Sequence, residues 1–136
     1  MQVTFDAADP HGLARWWAGR LGYRIEDGQD LVAGLLADGV IAEADVVRVE
    51  GTLFFADAVA ASDPEGRGPR LFFQRVPEPK AAKNRVHLDV PVDADRLDEE
   101  VQRLEASGAA LVEPNSHSGH RWAVMADPER NEFCLH

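Results

Sequence analysis

The sequence predicts an α+β fold made of two similar halves, each reading strand, helix, then several strands. Three observations carry that reading. Apolar and polar residues alternate at Gln2–Ala7 and again at Arg85–Val90, one run opening each half. A capping residue and an apolar stripe at helical spacing follow each run. A weak internal repeat sets the halves in register. Val3-Thr4-Phe5-Asp6-Ala7 answers Val86-His87-Leu88-Asp89-Val90, Leu21-Gly22-Tyr23 answers Ser107-Gly108-Ala109, and Asp63-Pro64-Glu65 answers Asp127-Pro128-Glu129.

In the first strand Gln2, Thr4 and Asp6 fall on one face and Val3, Phe5 and Ala7 on the other. Asp9-Pro10 then supplies a capping carboxylate and the residue favoured at the first helical position. Leu13, Trp17 and Leu21, with Trp16 beside them, form the helix's apolar stripe, and Gly22 ends it. Trp17 reads first as core under a sheet. A second short helix is expected near 29–38, with Leu31, Leu35 and Leu36 sharing a face. Val46 to Val49 and Thr52 to Val59 are β-rich, Asp63 to Gly66 is a turn, and Leu71 to Gln74 is another strand. Pro77 and Pro79 mark a connector, because proline cannot donate to a sheet ladder.

The second half opens with Arg85, His87 and Asp89 alternating against Val86, Leu88 and Val90. Val3/Phe5 and Val86/Leu88 are expected to pack beneath the two main helices. Asp93 or Asp95 is expected to cap a helix carrying Leu97, Val101 and Leu104, which ends at Gly108. Ala110 to Val112, Trp122 to Ala126 and Glu132 to His136 read as strands, the last two joined by a turn at Asp127 to Arg130. Between the first two lies Asn115-Ser116-His117-Ser118-Gly119-His120, read as a polar loop able to close over a ligand. His11 is expected to be exposed and His136 to fray.

Composition narrows the function classes. With 136 residues, 45% hydrophobic and 28% charged, the chain is expected to be one soluble domain with a core of its own. Fourteen Lys and Arg against twenty-four Asp and Glu give a net charge of −10. That argues against nucleic acid, which is bound by neutralising phosphates. It permits cationic or neutral small partners. A single cysteine, Cys134, rules out an internal disulfide framework and suits a reducing compartment. No run approaches a membrane span, and no basic-then-apolar leader opens the sequence, so the cytoplasm is the expected location. Glycine-rich phosphate loops, nucleophile elbows and H-E-x-x-H helices are all missing.

Four segments carry a resemblance: Leu21-Gly22-Tyr23, Val76-Pro77-Glu78-Pro79-Lys80, Lys83 to Asp89, and Asp127-Pro128-Glu129-Arg130-Asn131-Glu132-Phe133-Cys134. With these the chain resembles the vicinal oxygen chelate superfamily, and within it the glyoxalase-like and bleomycin-resistance-like proteins. The resemblance implies a glyoxalase/bleomycin resistance/dioxygenase-like fold, in which two βαβββ modules form a cupped mixed sheet. The single domain 1–136 would then hold module one at about 1–80 and module two at about 81–136. Arg130 stands where glycine is usual in that turn, so Asn131 is expected to take the left-handed position.

Metal-dependent members hold a divalent ion with four inward side chains, two per module. By that resemblance His87 matches the first-strand ligand of module two and Thr4 its counterpart in module one. Cys134 stands where a glutamate would be, and Phe72 or Gln74 takes the corresponding place in module one. The alternation independently puts Thr4, His87 and Cys134 on the less apolar strand faces. Hard ions ask for carboxylates, and zinc for three ligands among His, Asp, Glu and Cys. Thr4, Phe72 and Gln74 meet neither demand, so no family-type metal is expected, although a thiolate at Cys134 would recruit zinc.

Two functions compete, beside a third reading as an interaction module whose cup goes unused. One is a metal-free protein binding a small organic molecule, with Thr4, Phe72, Gln74, His87, Trp122 and Cys134 lining the site and Trp17 added to its aromatic wall. Here His87 is a hydrogen-bonded lining residue or a general base, since imidazole titrates near neutral pH. Asp6 and Asp89 would steady the site by hydrogen bonding or by ion-pairing with Arg85. The alternative is a metal-dependent lyase, isomerase or dioxygenase acting on vicinal oxygens. A homodimer is expected, because exposed sheet edges favour pairing.

Overall fold

Strand β1 (Gln2–Ala7) keeps its alternation: Gln2, Thr4 and Asp6 are exposed, while Val3, Phe5 and Ala7 are covered. The computed structural model describes residues 1–136, in two units, Met1–Pro77 and Glu78–His136. No helix is long and apolar enough to cross a membrane.

In the first unit, α1 (Pro10–Leu21) starts as its sequence demands. Asp9 Oδ1 accepts from the Gly12 amide at 3.0 Å, and Pro10 occupies the first turn. Gly22 closes the helix with φ 69°, a conformation glycine adopts without a Cβ penalty. Strands β2 (Arg24–Ile25), β5 (Ala58–Ser62) and β6 (Arg70–Arg75) complete a sheet ordered β1-β6-β5-β2. β1 runs parallel to β6, and the other neighbours are antiparallel. Leu13, Ala14 and Trp17 of α1 are buried with Leu71 and Phe73 of β6. The Phe5 ring stacks on Phe73 at 4.9 Å and meets Trp17 at 5.4 Å. Trp17 is therefore core and lines no site.

Between β2 and β5 lie α2 (Gln29–Ala37), a 3-10 turn (Glu43–Asp45), β3 (Val46–Val49) and β4 (Thr52–Phe55). The strand expected from Thr52 to Val59 is broken at Ala56 and Asp57. β4 pairs only with β3, across a two-residue turn in which Glu50 and Gly51 both have positive φ, while Arg75 donates its amide to the Asp57 carbonyl. α2 is rotated from the expected face. Leu31 is 61% exposed and Val32 is the buried residue. His11 is also corrected: it is buried, donating from Nε2 to the Phe55 carbonyl at 2.9 Å with its ring edge-on to Phe54.

The second unit repeats the topology. Strands β7 (Asp89–Val90), β8 (Ala110–His117), β9 (His120–Ala126) and β10 (Glu132–Leu135) are ordered β7-β10-β9-β8, with β7 parallel to β10. The strand that opens each unit thus lies beside the strand that closes it. Leu97, Val101 and Leu104 of α3 (Leu97–Ala106) are buried with Ala123, Met125, Phe133 and Leu135.

Six expectations change here. The strand expected at 85–90 keeps only two residues, because β10 begins at Glu132 and offers backbone partners no earlier than Leu88. Val86 is consequently 81% exposed rather than packed under a helix. Neither Asp93 nor Asp95 caps α3 through its side chain; a 3-10 turn (Ala94–Arg96) leads into the helix, with the Asp93 carbonyl accepting from the Arg96 amide. β8 runs on to His117, and Ser118 and Gly119, both at positive φ, join it to β9. Such a turn matches the strand twist, so the expected polar loop is a hairpin. Arg130, not Asn131, takes the left-handed position with φ 71°. His136 is tied down, its amide donating to the Val90 carbonyl and its carbonyl accepting from the Val92 amide.

Candidate functional site

In each unit one sheet face is filled by core, which leaves the other face for polar side chains. On β10 Phe133 and Leu135 are buried, so Glu132, Cys134 and His136 fall on the opposite face. On β9 Ala123 and Met125 are buried, which puts Trp122 and Val124 with them. Register pairs Cys134 with Val124 on one side and Asp89 on the other. His87 precedes Asp89 by two residues and donates from Nδ1 to its Oδ1 at 3.1 Å.

His87, Asp89 and Cys134 offer a nitrogen, an oxygen and a sulfur within 4.8 Å of one another. Burial pushes the Cys134 thiol pKa up, and the Asp89 charge and hydrogen bond push it further; Lys83 opposes them. The thiol therefore keeps its proton at neutral pH. The His87 and Asp89 side chains are 41% and 58% exposed, so the cluster is open to an arriving molecule. Trp122 stacks against the His120 ring at 5.9 Å, and His120 lies 6.4 Å from His136. His117 and His120 face each other across the hairpin.

Glu132, from the same strand as Cys134, anchors the segment that carries His87. It accepts from the Asn84 amide and from Lys80 Nζ, each at 2.9 Å. Burial alone would raise its pKa, yet these two donors hold it down at about 2. Backbone pairing is absent along 80–87, and this carboxylate takes its place.

In the first unit Thr4 pairs with Phe72 and Asp6 with Gln74 across β1 and β6. Thr4, Phe72 and Gln74 thus share the face opposite the core. Gln74 donates from Nε2 to Asp6 Oδ1 at 2.9 Å. The Phe72 ring lies 5.5 Å from the Arg70 guanidinium, which Glu26 holds through two nitrogens. The repeat equates Asp6 with Asp89, so the register makes Gln74, not Phe72, the counterpart of Cys134. Asp6 holds Gln74 and Asp89 holds His87, so of the two expected ways of steadying the site these carboxylates use hydrogen bonding rather than an ion pair with Arg85.

Sequence reasoning singled out His87 and Cys134 but missed Asp89 as their common acceptor and Glu132 as the anchor beneath them. The signals were present. His87 and Asp89 are two apart in a strand-like run, and Glu132 lies two before Cys134. Asp127 is a further missed residue: it is buried, and its Oδ1 accepts from the Glu129 and Asn131 amides, fixing the turn into β10.

The residues do not fit a magnesium- or manganese-type ion. Such ions take mainly carboxylate and carbonyl oxygens, whereas Cys134 keeps a proton and Asp89 is already the acceptor of His87. Thr4 is neutral, and the Gln74 amide is engaged with Asp6.

Solved structures share this fold. FosX, the fosfomycin resistance protein from Mesorhizobium loti, is 15% identical, with 100% of this chain and 88% of that one covered and a TM-score of 0.65. A glyoxalase/bleomycin resistance/dioxygenase family enzyme from Burkholderia phytofirmans is 16% identical, covering 98% and 94%, with a TM-score of 0.64. A possible glyoxalase from Bacillus cereus is 15% identical, covering 98% and 94%, with a TM-score of 0.60. At these identities the likeness is one of fold. No curated protein matches the chain. The family model described as a glyoxalase-like domain matches residues 2–136, so the chain belongs to the glyoxalase-like family of the vicinal oxygen chelate superfamily.

Proposed function

We propose that the chain binds a small organic molecule, with the open sheet face of the second unit as its polar anchor. The observation that carries this is the convergence of His87, Asp89 and Cys134 within 4.8 Å, with Cys134 on the sheet face opposite the buried Phe133 and Leu135. Asp89 fixes the His87 ring through Nδ1, which leaves Nε2 to meet the ligand as acceptor or donor. The protonated thiol of Cys134 adds a small, weakly polar surface. Trp122, on the same face, gives a planar ligand an aromatic platform. Thr4, Phe72 and Gln74 give the first unit an open face of the same kind, with Phe72 as its apolar residue. If the bound molecule reacts, His87 is the general base of the site.

A second reading rests on the same three atoms. Nitrogen, oxygen and sulfur donors at this spacing suit a zinc-type ion better than a harder one. His87, Asp89 and Cys134 would hold it, at the cost of the Cys134 proton. Such an ion would supply Lewis-acid polarisation of vicinal oxygens.

One experiment separates the readings. Protein purified without chelators or added metal is analysed for elemental content, then screened by thermal shift against small aromatic and hydroxylated organic molecules. The proposal expects substoichiometric metal and hits whose shifts fall sharply in His87→Ala. One zinc per chain, lost in both His87→Ala and Cys134→Ser, establishes the second reading instead.

A further inference from the structure

A different part of the molecule, in the first unit, carries a binding surface that the sheet face does not explain. A groove of about 630 Å³ runs between α1 and the hairpin β3–β4. Its wall on one side is His11 and Arg15, one helical turn apart on α1. On the other side it is β3 with its turn residue, from Val46 to Glu50. β4 is the sole sheet neighbour of β3, so the opposite edge of β3 is unpaired.

The register says which backbone groups lie on that edge. Val49 and Thr52 close a two-residue turn, which makes them a hydrogen-bonded pair, and antiparallel pairing alternates from there. Val47 and Val49 therefore turn their N–H and C=O towards β4. Val46 and Arg48 turn theirs outward; the Val46 N–H donates to the Glu43 carbonyl, which leaves the Val46 C=O and both Arg48 groups facing out. A free edge beside a helix is the arrangement that accepts an added strand.

Charge selects the kind of strand. The chain carries 24 acidic and 14 basic residues. Its ion-paired cations, such as Arg70, Lys80 and Arg103, sit against carboxylates. Arg15 and Arg48 line the groove with no carboxylate partner, and Arg75 joins them with its guanidinium fixed by the Ala8 and Ala56 carbonyls. Of the two acidic residues on the wall, Asp9 caps the Gly12 amide and Glu50 occupies the hairpin turn. Three guanidinium groups flanking one open strand edge complement carboxylates on an extended chain.

We propose that the groove between α1 and the free edge of β3 takes an extended acidic peptide as a third strand beside β3–β4. Main-chain bonds to the Val46 carbonyl and to the Arg48 N–H and C=O supply the pairing. Arg15, Arg48 and Arg75 read the carboxylates. The surface is independent of the His87 cluster, so His87→Ala leaves it unchanged.

The test uses the full chain and an end-blocked octapeptide of alternating valine and glutamate, followed by fluorescence anisotropy. The expected result is saturable binding that weakens with added salt and falls roughly tenfold in Arg15→Ala/Arg48→Ala. A valine–lysine octapeptide fails to bind. Two further glutamate peptides carry N-methyl groups on all valines or on all glutamates. In a strand the N–H groups of alternate residues point to the same side, so one of these isomers loses binding and the other keeps it. Amide exchange slows at Arg48 in the complex, whereas the Val46 amide, already bonded to Glu43, changes little. Circular dichroism confirms that the double variant is folded. The proposal is overturned if the glutamate peptide does not bind, if the lysine peptide binds equally, or if both N-methylated isomers keep full affinity.

Discussion

Asp89 stands between the two side chains that the sequence marks for chemistry. Its carboxylate accepts from His87 and raises the Cys134 thiol pKa, with burial as the larger cause. Replacing it as Asp89→Asn removes the charge, so the thiol pKa falls towards its ordinary value. Iodoacetamide should then label Cys134 severalfold faster near neutral pH than it labels the wild type; an unchanged rate contradicts the assignment. Glu132 offers a second check. Its folded carboxyl sits at about 2, below the ordinary carboxylate value of 4.5. A lowered folded value stabilises above the unfolded pKa and is lost on acidification. Stability from this group is therefore whole above about pH 5 and drains away towards pH 2. Glu132→Gln should cost about 1–3 kcal/mol in urea unfolding at pH 7 and much less near pH 2. His87 and Cys134 were legible in the sequence because alternation and motif both mark them. Their shared acceptor was not, since pairing Cys134 with Asp89 needs a register between residues 45 apart, which no local pattern supplies.

At the scale of elements, the strands and helices that the sequence marks most clearly are those with a buried face and a cap. β1, α1 and β9 form where alternation, Asp9-Pro10 and Gly22 place them. The misplaced elements each lack one of those signals. Arg85 to Val90 alternates like β1, but only Asp89 and Val90 find a strand beside them. Asn115 to His120 reads as loop because its side chains are polar, yet Ser118 and Gly119 complete a hairpin whose outer strand is almost wholly exposed. α2 carries Val32 beside Leu31, Leu35 and Leu36, so periodicity alone could not say that Val32 would be the one buried. A non-glycine residue at φ 71° carries conformational strain, and glycine would relieve it. Arg130→Gly should raise stability by about 0.5–1 kcal/mol, measured as a higher urea midpoint with an unchanged slope. A fall in stability would mean that the Arg130 side chain contributes more than its backbone costs.

For the whole molecule, the repeat in the sequence becomes two sheets of one topology, each pairing its first strand in parallel with its last. Duplication explains why Asp6 and Asp89 stand at equivalent places, one holding Gln74 and the other beside Cys134. Divergence lies in the donors: an amide in one unit, a thiol and an imidazole in the other. The two sheets end in unpaired edge strands, among them β8 with eight residues. Edges of that kind favour self-association. Light scattering at micromolar concentration should therefore return twice 14.9 kDa; the monomer mass would contradict the homodimer.

We propose that a small organic molecule binds on the open face of the second unit through His87, Asp89 and Cys134. Two-dimensional nuclear magnetic resonance of the labelled protein, titrated with the strongest thermal-shift hit, tests it most directly. Concentration-dependent shifts should gather at His87, Asp89, Trp122, Val124 and Cys134 and disappear in His87→Ala while that variant's spectrum stays folded. Shifts confined to the outer surfaces of α1 or α3, or persisting unchanged in His87→Ala, would contradict the claim and leave His87 a residue of structure alone.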